Sequence, residues 1–311
     1  MPLFNSIISW LTVKRLQQIN WYKLYPQDIQ NEVLFQLIKE CEGTEFGTTH
    51  SFNKIQSIRD FQTRVPIHDY DSLKPYIDRI REGEQNILWH SPIKWFAKSS
   101  GTTNDKSKFI PVSKEALENC HFRGSRDTIL LYNHNYPDSE LWKGKSLALG
   151  GSHQISQISM DSYFGDLSAI LIQNMPFWAQ FYRTPDLSVA LMDEWEEKIQ
   201  KIAEITGGER VVSIAGVPSW TLVLLKKMME MYNKTSVLDI WPNLELFVHG
   251  GVSFTPYREQ FKTIIPSDKM RYMETYNASE GFFAIQDNPA TDDMLLMLDV
   301  GVFYEFIPLE Q

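Results

Sequence analysis

Over residues 1–90 the apolar positions recur with the three- and four-residue steps of a helix face. Ile29, Val33, Leu34, Leu37 and Ile38 form one stripe, and Tyr76, Ile77 and Ile80 follow Pro75 as another. This part of the chain is expected to be mainly helical. From Ile87 onward, short β-branched or aromatic runs alternate with helical stretches, the pattern of an α/β sheet. The clearest unit starts with a helix over residues 193–205, whose Trp195, Ile199, Ile202 and Ile205 share one face and which Gly207-Gly208 closes as a C-cap. A strand over 210–215, a helix from Pro218 through Met231 and a strand over 244–248 follow, which is a β-α-β crossover. Gly250-Gly251 ends that strand, and Thr255-Pro256 is expected to open another helix as an N-cap followed by proline. Residues 269–275, 282–286, 293–298 and 302–307 read as successive strands, an antiparallel or mixed extension.

Composition narrows the class. The 311 residues are 43% hydrophobic and 22% charged, enough for a large core, and no linker divides them cleanly. One continuous domain over 1–311 is the reading, with a helical part over 1–90 and an α/β part over 91–311. The net charge of −9 argues against a nucleic-acid partner, which requires a positive field. Cys41 and Cys120 make no disulfide framework and no zinc spacing, as suits a reducing cytoplasm. The N-terminus places apolar residues before Lys14 and Arg15, the reverse of a signal peptide, and resembles an amphipathic helix. The longest apolar stretch, about fifteen residues over 211–225, is broken by Gly216 and Pro218 and falls short of a membrane span. A soluble, cytoplasmic protein with no membrane partner is expected.

Candidate chemistry concentrates after residue 97. Residues 98–108 hold five hydroxyls, one glycine and three lysines. Hydroxyls and backbone N–H groups wrap phosphate oxygens while ammonium groups offset their charge; a solvated surface loop has the same composition. Asp105 stands where a Walker loop needs glycine, so a P-loop nucleotidase is disfavoured. The Gly250-Gly251 pair ends a strand where open α/β sheets bind ligands, or is an ordinary turn needing positive φ. No histidine pair has metal spacing, and His249 beside the glycines reads as a core or strand-edge residue.

Ser99-Ser100-Gly101-Thr102-Thr103 with Lys108 and Phe109-Ile110-Pro111 resembles the phosphate-binding loop of adenylate-forming enzymes, in the version found in the Gretchen Hagen auxin-responsive family of acyl-acid amido synthetases. That family usually carries Ser-Gly-Gly where this chain has Thr103-Asn104-Asp105. Further segments match in the same order. Gly216-Val217-Pro218-Ser219-Trp220 resembles the segment that begins a helix lining the acyl pocket, and His249-Gly250-Gly251-Val252 resembles the turn lying along adenine. Tyr276-Asn277-Ala278-Ser279-Glu280 resembles the motif that contacts adenine and the α-phosphate and supplies a Mg²⁺ ligand. Asn277 replaces the usual glycine, as the non-glycine residue that best tolerates positive φ. Phe303-Tyr304-Glu305-Phe306-Ile307-Pro308 resembles the strand that follows in the family.

The resemblance implies the large N-terminal domain of the adenylate-forming fold, mixed sheets flanked by helices, and activation of a carboxylic acid by ATP and Mg²⁺ followed by amide formation with an amino acid. It implies ATP binding by Ser99, Ser100, Gly101, Thr102, Thr103, Lys108, Gly250, Gly251, Val252, Tyr276, Asn277, Ala278, Ser279 and Glu280. Lys108 and Glu280 are the catalytic candidates, and Glu280 is the Mg²⁺ ligand. Val217, Trp220 and Arg123, on the helix after the loop, are the candidates for binding the acid. The family's ribose-binding Gly-Asp motif and C-terminal lid are absent from these 311 residues, so an incomplete, inactive or weakly active domain is expected. An acyl-CoA ligase and an inactive nucleotide-binding or scaffold protein remain open alternatives.

Overall fold

Backbone pairing divides the α/β part into two sheets. The computed structural model describes residues 2–99, 107–151, 155–159 and 161–308. In chain order the strands are β1 (Trp95–Ser99), β2 (Lys108–Val112), β3 (Lys145–Ala148), β4 (Ser156–Ser159), β5 (Ser162–Gly165), β6 (Arg183–Thr184), β7 (Val211–Gly216), β8 (Leu246–His249), β9 (Arg271–Ala278), β10 (Gly281–Ile285) and β11 (Leu295–Leu296). Among the described residues the smaller sheet has the order β2-β1-β5-β4 and the larger β11-β10-β9-β8-β7-β3-β6. Strands β6, β3, β7, β8 and β9 run parallel to their neighbours, whereas β9-β10 and β10-β11 are antiparallel, the mixed extension that the C-terminal pattern predicts.

Helices precede the sheets: Pro2–Leu24, Pro26–Cys41, Ile58–Arg64 and Tyr70–Arg81 are the longer ones. Pro26 sits at the start of its helix, where its missing N–H costs nothing, and Val33, Leu34, Ile38 and Cys41 bury one face. Asp69 caps Tyr70–Arg81 by accepting from the Ser72 N–H, and Ile77 and Ile80 are its buried anchors. Each such buried aliphatic side chain contributes about 1.5–3 kcal/mol. The buried Arg15 guanidinium ties this region to the helix Phe122–Asn135 and to the turn after β11. It donates to Asp127 (2.6 Å) and to Asp299 (2.9 Å).

The β7-to-β9 region follows the sequence closely. The helices Trp195–Thr206, Pro218–Met231 and Arg258–Ile264 cover one face of the larger sheet, where Ile199, Ile202, Leu224, Leu225, Met228 and Phe261 join Ile214 and Phe247 in one core. The helix Phe122–Asn135 and the first helix cover the other, through Tyr22, Leu131, Val212, Leu246 and Ile285. Gly207 is indeed the C-cap of its helix, in right-handed conformation.

Three expectations are corrected. The helix after β8 starts at Arg258 and not at Thr255-Pro256, because Phe254 is drawn into the core and residues 255–257 turn back over it, with Tyr257 and Arg258 both donating to the Phe254 carbonyl. Residues 302–307 form no strand. The Tyr304 N–H donates to the Gln30 side chain (2.7 Å), which in turn donates to the Val302 carbonyl (3.0 Å), and Phe303 packs against the helical part, so these groups are held by an N-terminal helix and not by a ladder. Finally, Asn277 is extended within β9, opposite Phe282, and does not adopt positive φ.

Candidate functional site

The carboxyl ends of β7, β8 and β9 lie side by side, the place where open α/β sheets hold ligands. Gly216 is level with His249, and His249 with Glu274. Immediately beyond these positions the chain makes the Val217-Pro218 turn after β7 and the Gly250-Gly251 turn after β8, whereas β9 runs on from Glu274 through Ala278 to its hairpin with β10 at Ser279-Glu280.

Both glycines of the middle turn are required, for different reasons. A Cβ on Gly250 would stand 2.3 Å from the Thr275 carbonyl oxygen, so β8 and β9 approach too closely for any side chain. Gly251 has φ +79°, the left-handed region. A Cβ on Gly251 would lie 3.6 Å from a Val217 methyl, which brings the first two turns into contact. Gly250, Gly251, Val252, Val217, Trp220, Tyr276, Asn277, Ala278, Ser279 and Glu280 are therefore carried on three adjacent strand ends. Val252, Tyr276 and Glu280 are exposed. The Tyr276 ring lies 5.1 Å from Phe283, and Trp220 lies 5.4 Å from Trp195.

Two buried polar groups lie close to these strand ends. Thr221 Oγ1, one turn into the helix Pro218–Met231, and His249 Nδ1 are both buried without a hydrogen-bond partner. Thr221 Oγ1 would be 3.1 Å from a Cβ on Gly216, the residue level with His249. Burial, and then the Arg258 charge, push the His249 imidazole down to about 4, so the ring is neutral near pH 7. It stacks on Phe254 at 4.2 Å.

The hairpin β1–β2 carries the other candidates. Ser99 and Lys108 are partners across this ladder, so they flank the hairpin loop. Ser100, Gly101, Thr102 and Thr103 lie outside the described residues. Lys108 Nζ sits 5.4 Å from the centre of the Tyr70 ring, and the Tyr70 hydroxyl accepts from the Phe109 N–H (2.9 Å). After β2 the chain enters the helical stretch Ala116–His121, where His121 Nδ1 lies 2.9 Å from Asn277 Oδ1. The hairpin and the β9 strand end are thus connected through one short helical stretch.

Arg123 stands apart. Its Nη2 donates to Asp299 Oδ2 (2.6 Å), which it shares with Arg15, so its charge is engaged within the protein. Sequence reasoning missed Lys198. Its side chain is fully buried and its ammonium donates to the Gly150 (3.3 Å) and Gly151 (2.7 Å) carbonyls beyond the end of β3. A signal was present, because Lys198 lies on the apolar face with Trp195, Ile199 and Ile202. Nothing in the pattern marked His121 or Thr221. Among the described residues no three His, Cys, Asp or Glu side chains gather as a metal site. A groove of about 720 Å³ lies elsewhere, between Pro26, Leu295 and Phe306.

The sequence matches the GH3 family N-terminal domain over residues 15–270. It is 37% identical to the jasmonoyl–L-amino acid synthetase JAR6 of Nicotiana attenuata, over 90% of this chain and 58% of the relative. It is 30% identical to the indole-3-acetic acid-amido synthetase GH3.4 of Arabidopsis thaliana, over 95% and 59%. The fold superposes on the acyl acid amido synthetase AtGH3.15 in complex with 2,4-DB with a TM-score of 0.69 at 18% identity, covering 86% of this chain and 56% of that one. It superposes on a 2-hydroxyisobutyryl-CoA ligase with a TM-score of 0.51 at 13% identity, covering 86% and 53%. The chain therefore has the adenylate-forming fold and spans somewhat over half the length of the curated relatives it matches. With the family profile matched over most of its length, the chain belongs to the GH3 family.

Proposed function

We propose that the protein activates a small carboxylic acid with ATP as an acyl-adenylate and passes the acyl group to an amino acid, forming an amide. The observation that carries this reading is the placement of Val217, Gly250-Gly251 and the last residues of β9, which lead to Ser279-Glu280, at the carboxyl ends of adjacent strands in a chain of the GH3 family. The names of JAR6 and GH3.4 support the acid and amine classes.

In the first step an acid oxygen bonds to the α-phosphorus as pyrophosphate leaves. In the second the amine nitrogen bonds to the acyl carbon, AMP departs and the amine gives up a proton. No covalent bond to the protein is needed, so the residues act by positioning and by offsetting charge. Ser99, Lys108 and the hydroxyls of the loop between them would receive the β- and γ-phosphates. The adenine would lie along Gly250-Gly251-Val252 and against Tyr276. Glu280, an exposed carboxylate at a hairpin turn, offers the hard oxygen that suits Mg²⁺ and would be the residue that holds it. That ion would supply charge neutralisation. Val217 and Trp220 would border the acid. Two buried, unpaired cysteines suit a reducing cytoplasm. No helix among the described residues is long and apolar enough to cross a membrane.

The test is ATP–pyrophosphate exchange with a panel of aryl and alkyl acids, alongside ATP-dependent thermal stabilisation. Weak acid-dependent exchange, or stabilisation by ATP where exchange is absent, is expected. Its absence with every acid, together with no stabilisation by ATP, would overturn the reading.

A further inference from the structure

Lys198 lies on the buried face of the helix Trp195–Thr206 and is itself fully buried, where an ammonium is costly unless its protons are taken up. Burial holds it below its usual value, against the raising influence of the Asp166 charge. Among the described residues its acceptors are two successive main-chain carbonyls, Gly150 (3.3 Å) and Gly151 (2.7 Å). Packing at this position needs no charge. What the charge does is gather both carbonyls of the turn after β3 at one point.

That turn is a crowded junction. The Leu149 N–H still donates to the Ala215 carbonyl (2.9 Å), so Gly150 begins beside the end of β7, where the Val217-Pro218 turn starts. Strand order reverses here, because the chain goes from β3 outward to β6 and from β7 inward to β8, and sheets of this kind open to ligands at such a point. On the other side of the turn, the Gly151 N–H donates to Ser168 Oγ (2.9 Å), in the helix Leu167–Gln173. A Cβ on Gly151 would stand 2.0 Å from an Asp166 carboxylate oxygen, so no side chain fits between them. Ile170 of the same helix packs in one core with Ala97 of β1 and Val112 of β2. Lys198, the turn and Ser168 therefore join a helix packed on the larger sheet to a helix packed on the smaller one.

The proposed nucleotide site is divided in the same way. Ser99 and Lys108 belong to the smaller sheet, whereas Gly250-Gly251 and Glu280 follow strands of the larger. We infer that Lys198 is a positioning residue for the adenylation proposed above, on which this inference rests: by fixing the Gly150-Gly151 turn it sets the hairpin of Ser99 and Lys108 relative to the ends of β8 and β9. Lys198 itself touches no substrate. Its contribution is distance, and a misplacement of about 1 Å between groups that hold one nucleotide costs up to about a hundredfold in rate.

The test measures the distance between spin labels at Lys94→Cys, just before β1, and Lys262→Cys, in the helix Arg258–Ile264 on the larger sheet. Both lysine side chains are more than half exposed, and the native cysteines are buried. Lys198→Met keeps the length of the side chain and removes the donor, and Ser168→Ala cuts the other end of the join. Lys201→Met, half-exposed on the same helix, is the control. Lys198→Met and Ser168→Ala should each shift or broaden the label distance. Each should also lower acid-dependent pyrophosphate exchange by about tenfold to a hundredfold or, where the native chain shows no exchange, weaken its stabilisation by ATP. The control should do neither. Circular dichroism checks folding, and Ser168→Ala decides the matter if Lys198→Met does not fold. Native label distances in the folded variants, or altered distances with a native response to ATP, would sink this inference alone. A native chain that shows neither exchange nor stabilisation by ATP would remove the proposed function and this role with it.

Discussion

His121 Nδ1 lies 2.9 Å from Asn277 Oδ1, which hydrogen-bonds the helical stretch after the β1–β2 hairpin to the strand that carries Tyr276 and leads to Glu280. The amide oxygen only accepts, so the buried imidazole carries its proton on Nδ1. Replacing Asn277 by Ala or His121 by Leu should each cost about 1–3 kcal/mol, because either change strands a buried polar partner or removes its packing. A double-mutant cycle by chemical denaturation should return a coupling above about 0.5 kcal/mol. Additive effects would show that the bond contributes nothing.

The two buried histidines make stability depend on pH. Burial lowers His121 from its ordinary value of 6.5, against the opposing Asn277 bond, and lowers His249 to about 4. The unfolded chain therefore binds more protons once pH falls below 6.5, and stability decreases from there, for His249 down to about 4. Between about pH 7 and about pH 5 the His249 share is on the order of 2 kcal/mol. Denaturation midpoints for the native chain and His249→Phe should converge as pH falls. Parallel curves would contradict the assignment.

The glycine pair after β8 should tolerate substitution unequally. Gly250→Ala forces β8 and β9 apart at the Thr275 carbonyl and should cost about 1–3 kcal/mol or more. Gly251→Ala makes only an ordinary contact with Val217, at 3.6 Å, so its cost is that of its backbone conformation, about 1 kcal/mol. Melting temperatures in the reverse order would reject this account.

Arg15 holds two carboxylates in the interior, so Arg15→Met should lose about 3–5 kcal/mol by leaving Asp127 unpaired. Removing the exposed Lys201–Glu197 pair should change stability by less than about 1 kcal/mol. Urea titrations of both variants test the contrast.

Lys108→Ala and Glu280→Gln test the proposed nucleotide site. Both residues are at least partly exposed, so neither change should shift the melting temperature appreciably. Each should lower acid-dependent pyrophosphate exchange by roughly tenfold to a hundredfold. Unaltered exchange in both would remove these two residues from the site.

The crossover from residue 193 to 249 was legible because its signals are local. Trp195, Ile199 and Ile202 repeat at helical spacing, and Pro218 marks its helix start to the residue. The sequence could not show where residues 302–307 would find their hydrogen-bond partners, because Gln30 lies far away in the chain. The same holds for Asn277, whose identity suggested a turn and whose role is a bond to a distant histidine. In the site, the motifs after residue 215 fell near the ends of β7, β8 and β9 while Ser99 and Lys108 fell on the smaller sheet; Lys198 was marked only as a lysine on an apolar helix face, and Thr221 looked like an ordinary member of its helix. Their importance comes from carbonyls and strands that only the fold brings near.

The helix Phe122–Asn135 can lie against β10 only because Gly124 has no side chain: a Cβ there would stand 2.3 Å from the Phe282 ring. The two positions are therefore bound together in descent. A lineage that acquires a larger residue at 124 should shrink the one at 282, and one that keeps the aromatic should keep the glycine. Through His121, immediately before that helix, and Asn277, level with Phe282, drift in this one contact would carry directly to the hairpin beside Glu280.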